Sequence, residues 1–275
     1  MKFNRLFAIR DDVSPLQSVL FVCGFLFIIL LVWFLLTRGD GQTIESRMIH
    51  PSILPSPMEI VKAVPTILKP ERKLAESAVI SIQRIAEGFV IALIIALPLG
   101  IAMGTFSRIN TFFSPIILVG SYIPIPTILP LTMAWLGIGE EQKVGFLAIA
   151  SFVFLLPAFV KAIDDIDDVY LNTAYTLGLN KIQLITRVII PIALPKLYDA
   201  MRRGFGVGFT WIIVAEMIGA DSGLGYILRQ AQSRGGIDNT PIVYLILIVI
   251  VLLAFVIDMI WKIGSKQLFP YKEER

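Results

Sequence analysis

Apolar positions in this chain neither alternate nor recur on a single helical face. They gather in long runs separated by shorter polar segments. Six runs stand out, at 16–36, 78–103, 112–136, 144–163, 200–220 and 241–261. Each is close to the ~20 residues that a helix rising ~1.5 Å per residue needs to cross a hydrocarbon core of ~30 Å. Helices are expected because every backbone amide in lipid must find its partner inside the segment, and the runs lack the alternation of barrel strands. The pattern predicts an all-α membrane protein with six transmembrane helices. The third run is interrupted by "PIPTILP".

The expected organisation follows from these runs. Residues 1–15 form an N-terminal segment and 16–36 the first span. A loop at 37–76 carries a short amphipathic helix. A core of five spans covers 77–265, with a polar interlude at 164–195, and 266–275 form a tail. With both ends in the cytoplasm, Lys2, Arg5, Arg10, Arg108, Lys161, Lys181, Arg187, Lys196, Arg202 and Arg203 lie inside, together with the basic residues of the tail. Most outer basic residues then fall in the one long loop, as the positive-inside bias favours.

Composition agrees with this reading. Of 275 residues, 56% are hydrophobic and 16% charged, too little charge for a water-exposed surface. No basic stripe suggests nucleic acid. Cys23, the single cysteine, cannot form an internal disulfide and reads as a small apolar side chain. The first run is too long for the core of a cleavable signal peptide and is expected to be retained. His50 is the only histidine, and neither H-E-x-x-H nor G-x-S-x-G occurs. G-x-x-x-x-G-K-[ST] is also absent, so no loop here is built to cradle ATP phosphates.

Two polar segments carry helix signals. In "SPMEIVKAV", Ser56 can cap, Pro57 suits the first turn and Glu59 completes a capping box; Ile60, Val61 and Val64 share a face, and Pro65 is expected to stop or kink the helix. This is either a helix lying on the outer membrane surface or an ordinary covered loop. The interlude 164–195 reads as two short helices with a sharp break. Asp167 or Asp168 caps the first, Gly178 takes the left-handed position after it, and Asn180 with Gln183 opens the second. Pro191 and Pro195 are expected to end that second helix before the fifth span. A segment capped this thoroughly is a stiff lever rather than a linker.

Within the runs, Gly100 and Gly104 form one G-x-x-x-G pair, and Gly204 and Gly208 another. They serve helix packing, either inside one subunit or between subunits. Arg84 and Glu87 are three apart and expected to pair with each other. Pro124, Pro126 and Pro130 break the third run, as in helices that line a cavity. Tyr122, Trp135 and Trp211 line the same path or belong to the aromatic belts. Glu216 bonds a neighbouring helix, gates the mouth, or meets a cationic or heterocyclic cargo. "DSGLGY" after it is a connector, a gate or an external docking point.

The interlude also resembles the coupling loop of ABC importer permeases, an acid-Ala-Ala triplet, a glycine four places on, then Leu-Pro. The matching positions are Asn172, Thr173 and Ala174, then Gly178, Val188, Ile190 and Pro191, with Asn172 in place of the acid and Ile190 in place of Leu. "LPSPMEIVKA", "SIQRIAEGFVIALIIALPLGIAMG", "IPTILPLTMAWLGIGEEQK" and "WIIVAEMIGADSGLGYIL" are similar to the nitrate/sulfonate/taurine/bicarbonate branch of that family. The resemblance implies the fold of a type I importer permease. It implies that Asp168, Asn172, Thr173, Ala174, Gly178, Leu179, Asn180 and Pro191 face an ATPase. Two ATP-binding cassette subunits, holding ATP and Mg, would supply energy. A second copy of the chain would complete the path, and a periplasmic or lipid-anchored binding protein would deliver a small oxyanion. The setting implied is a bacterial inner membrane. A thiamine-precursor-type heterocycle is the alternative cargo. A self-sufficient secondary transporter is disfavoured because the spans carry few buried ionisable groups.

Overall fold

The computed structural model describes residues 13–39 and 47–271. Most of the N-terminal segment expected to be cytoplasmic, with Lys2, Arg5 and Arg10, lies outside the described residues, as does the end of the tail. The described chain is almost wholly helical and divides into two units, Met1–Ile67 with Arg234–Leu245, and Leu68–Ser233 with Ile246–Arg275.

The first unit contains α1 (Pro15–Thr37) and α2 (Pro57–Ile67). Ser14 and Gln17 form a capping box that starts α1. The helix then runs without a charge and with nearly every side chain exposed, the signature of a helix solvated by lipid. Near its end the indole of Trp33 donates to the Pro55 carbonyl at 2.9 Å, and Tyr244 donates to the Ile53 carbonyl at 2.9 Å. These bonds pin the loop before α2. The predicted capping box of α2 is present, with Ser56 N–H on Glu59 and Glu59 N–H on the Ser56 hydroxyl. Pro65 does not stop the helix, which continues to Ile67. The carbonyl that Pro65 leaves without a donor belongs to Val61, an exposed residue, so burial does not penalise the loss.

In the second unit, α3 (Leu74–Thr105) and α6 (Glu140–Asp164) run side by side. Glycines let their backbones meet. A Cβ at Gly88 would sit 2.7 Å from Leu147 Cβ, at Gly100 2.6 Å from Phe159 Cβ, and at Gly104 2.5 Å from Ile163 Cβ. The second glycine pair packs likewise, Gly204 on Leu155 and Gly208 on Ile85. Both predicted pairs therefore serve packing within one chain. Between α3 and α6 come α4 (Ser107–Tyr122) and α5 (Ile128–Leu136), which meet at 93° across the Pro124–Pro126 break. That angle makes the third run a bent pair rather than one straight span.

After α6 the chain turns through α7 (Asp168–Thr176) into α8 (Lys181–Leu184), a π-turn at Ile185–Ile189 and α9 (Ile190–Met217). The prolines do not separate α8 from α9; the helix is continuous from Lys181. Pro191 has no N–H and its ring would strike the carbonyl of Arg187. The widened turn just before it, where Ile190 N–H bonds the Ile185 carbonyl, makes the room. The chain ends in α10 (Leu224–Arg234) and α11 (Thr240–Leu268).

Among the described residues four helices are long and apolar enough to cross a bilayer, or five when α4 and α5 count as one span. The remaining expected span, the fifth, corresponds to α9. Every bilayer-length stretch of α9 includes Arg202 and Arg203 together with Asp199 or Glu216. Its claim to the membrane rests on packing against α3 and α6 rather than on hydropathy.

Candidate functional site: a capped elbow and a buried charge cluster

The elbow is held by local bonds. Asp167, not Asp168, is the cap of α7, and its carboxylate accepts from Val169 N–H at 2.9 Å; Asp168 is the first helical residue, where its charge faces the positive end of the helix. Thr173 and Thr176 return their hydroxyls to carbonyls of the same helix. Gly178 has φ +76°, with its N–H on the Tyr175 carbonyl and Leu179 N–H on the Ala174 carbonyl. Nothing lies within 4 Å of where a Cβ at Gly178 would stand, so the glycine is required by backbone conformation and not by crowding. Asn180 and Gln183 close the second capping box at 2.9 and 3.0 Å.

One side of the elbow is anchored and the other is open. Ala174 and Leu184 are buried, whereas Asn172, Thr173 and Pro191 are exposed and Leu179 is half-buried. Val169, Tyr170, Tyr175, Leu177 and Ile182 are exposed apolar or aromatic residues. Leu177 and Ile182 are each 74% exposed, beyond the membrane runs, and no described residue covers them. That is an unpartnered apolar surface on a rigid support.

At the other end of α6 and α9 lies a buried charge cluster. The Glu216 carboxylate has no exposed surface. It accepts from the Ser81 hydroxyl at 2.8 Å, Arg84 Nη1 at 2.7 Å and Gly225 N–H at 2.8 Å. Arg84 forks onto Glu140 with two bonds of 2.6 Å and donates to the Ser222 carbonyl at 2.9 Å. The Ser81 hydroxyl in turn accepts from Leu224 N–H. One arginine thus ties α3 to the first residue of α6, to the end of α9 and to the turn before α10. Gly223, at φ +105°, presses against the Glu216 carboxyl with no room for a Cβ, which explains the glycines of "DSGLGY". This network dictates the position of the turn.

The expected Arg84–Glu87 pair does not form. Arg84 is turned inward to Glu140 and Glu216, and Glu87 is exposed on another side of α3. Of the residues expected on a path, Tyr122, Pro124, Pro126 and Trp135 are exposed on the bent pair, and Trp211 is half-buried in α9. Glu216 is not brought to them; its oxygens are occupied within the cluster. Sequence reasoning missed Ser81, Glu140 and Ser222. The available signal was that Arg84 and Glu216, both inside apolar runs, each needed a partner.

The binding-protein-dependent transport system inner membrane component family matches residues 73–267, from the start of α3 to the end of α11. The chain belongs to this family. The permease is 30% identical over 264 residues to the taurine transport system permease protein TauC of Escherichia coli (strain K12), covering 94% of this chain and 92% of TauC. It is 26% identical over 220 residues to the nitrate import permease protein NrtB of Synechocystis, covering 77% and 76% of the two chains. Among solved structures, an inward-facing methionine ABC transporter, MetNI, matches with a TM-score of 0.63 at 20% identity, over 72% of this permease and 98% of that chain. The last likeness bears on the fold alone, which the permease shares with that transporter's chain. As a family member the permease is the membrane component of an ATP-driven importer of the nitrate/sulfonate/taurine group.

Proposed function

We propose that this permease carries a small sulfonate or oxyanion across a bacterial inner membrane, driven by two ATPase subunits that dock on the elbow. The cargo class is supported by the match to TauC over 94% of the chain. ATP and Mg would be held by the ATPases and not by this chain. An external binding protein, periplasmic or lipid-anchored, would deliver the cargo. A second copy of the chain would cover the exposed face of α4 and α5, where Tyr122, Pro124, Pro126 and Trp135 lie, and complete the path between them. Both termini would be cytoplasmic, which puts the elbow on the ATPase side.

The observation that carries this reading is the elbow itself, an exposed apolar surface of Val169, Tyr170, Leu177 and Ile182 whose second arm continues unbroken into α9. A push on α7 and α8 is therefore delivered to a helix packed against α3 and α6. Gly178→Val tests it. A β-branched residue in the left-handed region costs about 1–2 kcal/mol, enough to re-angle the break without unfolding the spans. In proteoliposomes with the ATPase and the loaded binding protein, ATP-driven uptake is expected to fall at least tenfold while basal hydrolysis continues. Uptake at the wild-type rate would remove the elbow from the mechanism.

A further inference from the structure

The inner ends of α6 and α9 enclose a cleft of about 350 Å³ lined by Ala158, Lys161, Ala162, Asp165, Lys196, Asp199 and Arg203. The two helices are held close at Gly204, where a Cβ would meet Leu155 at 2.5 Å. Further along, Ala158 and Ala162 present only methyl groups, and the space between the helices opens. Lys196, Asp199 and Arg203 follow at helical spacing along the α9 wall. Lys196 pairs with Asp165 at 3.6 Å across the mouth and also donates to its carbonyl.

Lys161 and Arg203 are different. Among the described residues neither side chain makes an ion pair or hydrogen bond, although both line the cleft. Three cations face two carboxylates, so the cleft is net positive. Its depth matters too. Lys161 stands at the end of an apolar run, and Arg203 lies seven residues further into α9 than Lys196, about 10 Å along the axis. An exposed, unpaired guanidinium on a helix packed against membrane-length spans is costly unless an anion meets it. Beside it, Phe154 is 37% exposed and lies against Gly204. Positive charge next to exposed aromatic surface at the membrane boundary matches a headgroup joined to an acyl chain.

We propose that this cleft binds the phosphodiester of an anionic phospholipid, with Arg203 and Lys161 on the phosphate and an acyl chain along Phe154. The orientation proposed above assigns it to the cytoplasmic leaflet; the binding itself does not depend on that orientation or on transport. Basic pockets of this kind between spans are a recognised mode of headgroup recognition.

Native mass spectrometry of the full chain in detergent, titrated with phosphatidylglycerol, phosphatidylcholine or inorganic phosphate, tests the proposal. Phosphatidylglycerol is expected to bind in preference to phosphatidylcholine. Removing two charges in Lys161→Gln/Arg203→Gln is expected to weaken phosphatidylglycerol about thirty-fold, at ~1 kcal/mol per basic residue. Arg203→Lys, which keeps the charge, is expected to retain most of the binding and guards against misfolding. Equal binding of the two lipids, or equal binding by wild type and the double variant, would overturn the site. Displacement of phosphatidylglycerol by millimolar inorganic phosphate would overturn the lipid assignment in favour of a soluble phosphate.

Discussion

Replacing Arg84 by Met removes the cation hydrogen-bonded to Glu216, a carboxylate with no exposed surface. Two Ser81 contacts and the Gly225 N–H remain, but they are dipoles and cannot neutralise a full charge. Breaking a buried pair in this way costs roughly 3–5 kcal/mol, because the remaining ion is stranded in a low-dielectric site. Glu216→Gln leaves a milder defect. Arg84 keeps its fork to the exposed Glu140, but an amide donor now meets other donors, at a cost of about 1–3 kcal/mol. The double variant Arg84→Met/Glu216→Gln removes both charges of the buried pair and leaves Glu140 to Lys143 and water. It is therefore expected to be at least as stable as Arg84→Met alone. Unfolding of purified protein in mixed micelles, followed by tryptophan fluorescence, measures all four corners of the cycle. If the two single losses add to within about 0.5 kcal/mol in the double variant, the charges are not coupled and the cluster does not work as described.

Two further outcomes follow from separate parts of the fold. Gly104→Leu would drive a branched side chain into Ile163, already 2.5 Å from a Cβ there, and is expected to separate the C-terminal ends of α3 and α6; a normal thermal midpoint for that variant would mean the seam has slack. Outside the membrane, the hydrogen bond from Arg47 at 2.8 Å, opposed by burial, holds Glu59 below the ordinary glutamate value of 4.5. A depressed carboxylate pKa contributes stability above that ordinary value and loses it as pH falls through the depressed one. Arg47→Gln is therefore expected to move the onset of acid unfolding of the α2 region to higher pH, read by hydrogen exchange between roughly pH 3 and 6, and an unchanged onset would dissociate the pair from stability.

The elbow was legible in the sequence because its bonds are local. A cap reads its partner two or three residues away, so Asp167, Asn180 and Gln183 declare themselves in a short window. The glycine after α7 does the same through a single dihedral angle. The charge cluster was not legible because the bonds of Arg84 span 56 to 138 positions along the chain. Spacing alone suggested the near neighbour Glu87, yet the partner was decided by which face of α3 meets α6 and α9. The prolines at 191 and 195 misled for a related reason. Their local effect on a helix is real, but the widened turn absorbs that of Pro191, and the packed walls of α3 and α6 keep the helix going.

The two sites lie at opposite ends of the same helices, and that arrangement has a mechanical consequence. α9 begins at the elbow and ends at Glu216, while α6 begins at Glu140 and ends just before α7. Both helices are therefore fastened through Arg84 at one end and loaded at the other. A displacement at the elbow cannot slide them past each other freely, since the arginine fork and the Glu216 bonds resist shear. The motion left to them is a tilt about the cluster, with the largest excursion at the elbow end, where the cleft between α6 and α9 also widens. The cluster in this account is a pivot and not a cargo site. It explains how an acidic residue is accommodated in the buried end of α9, since its charge is already neutralised by Arg84.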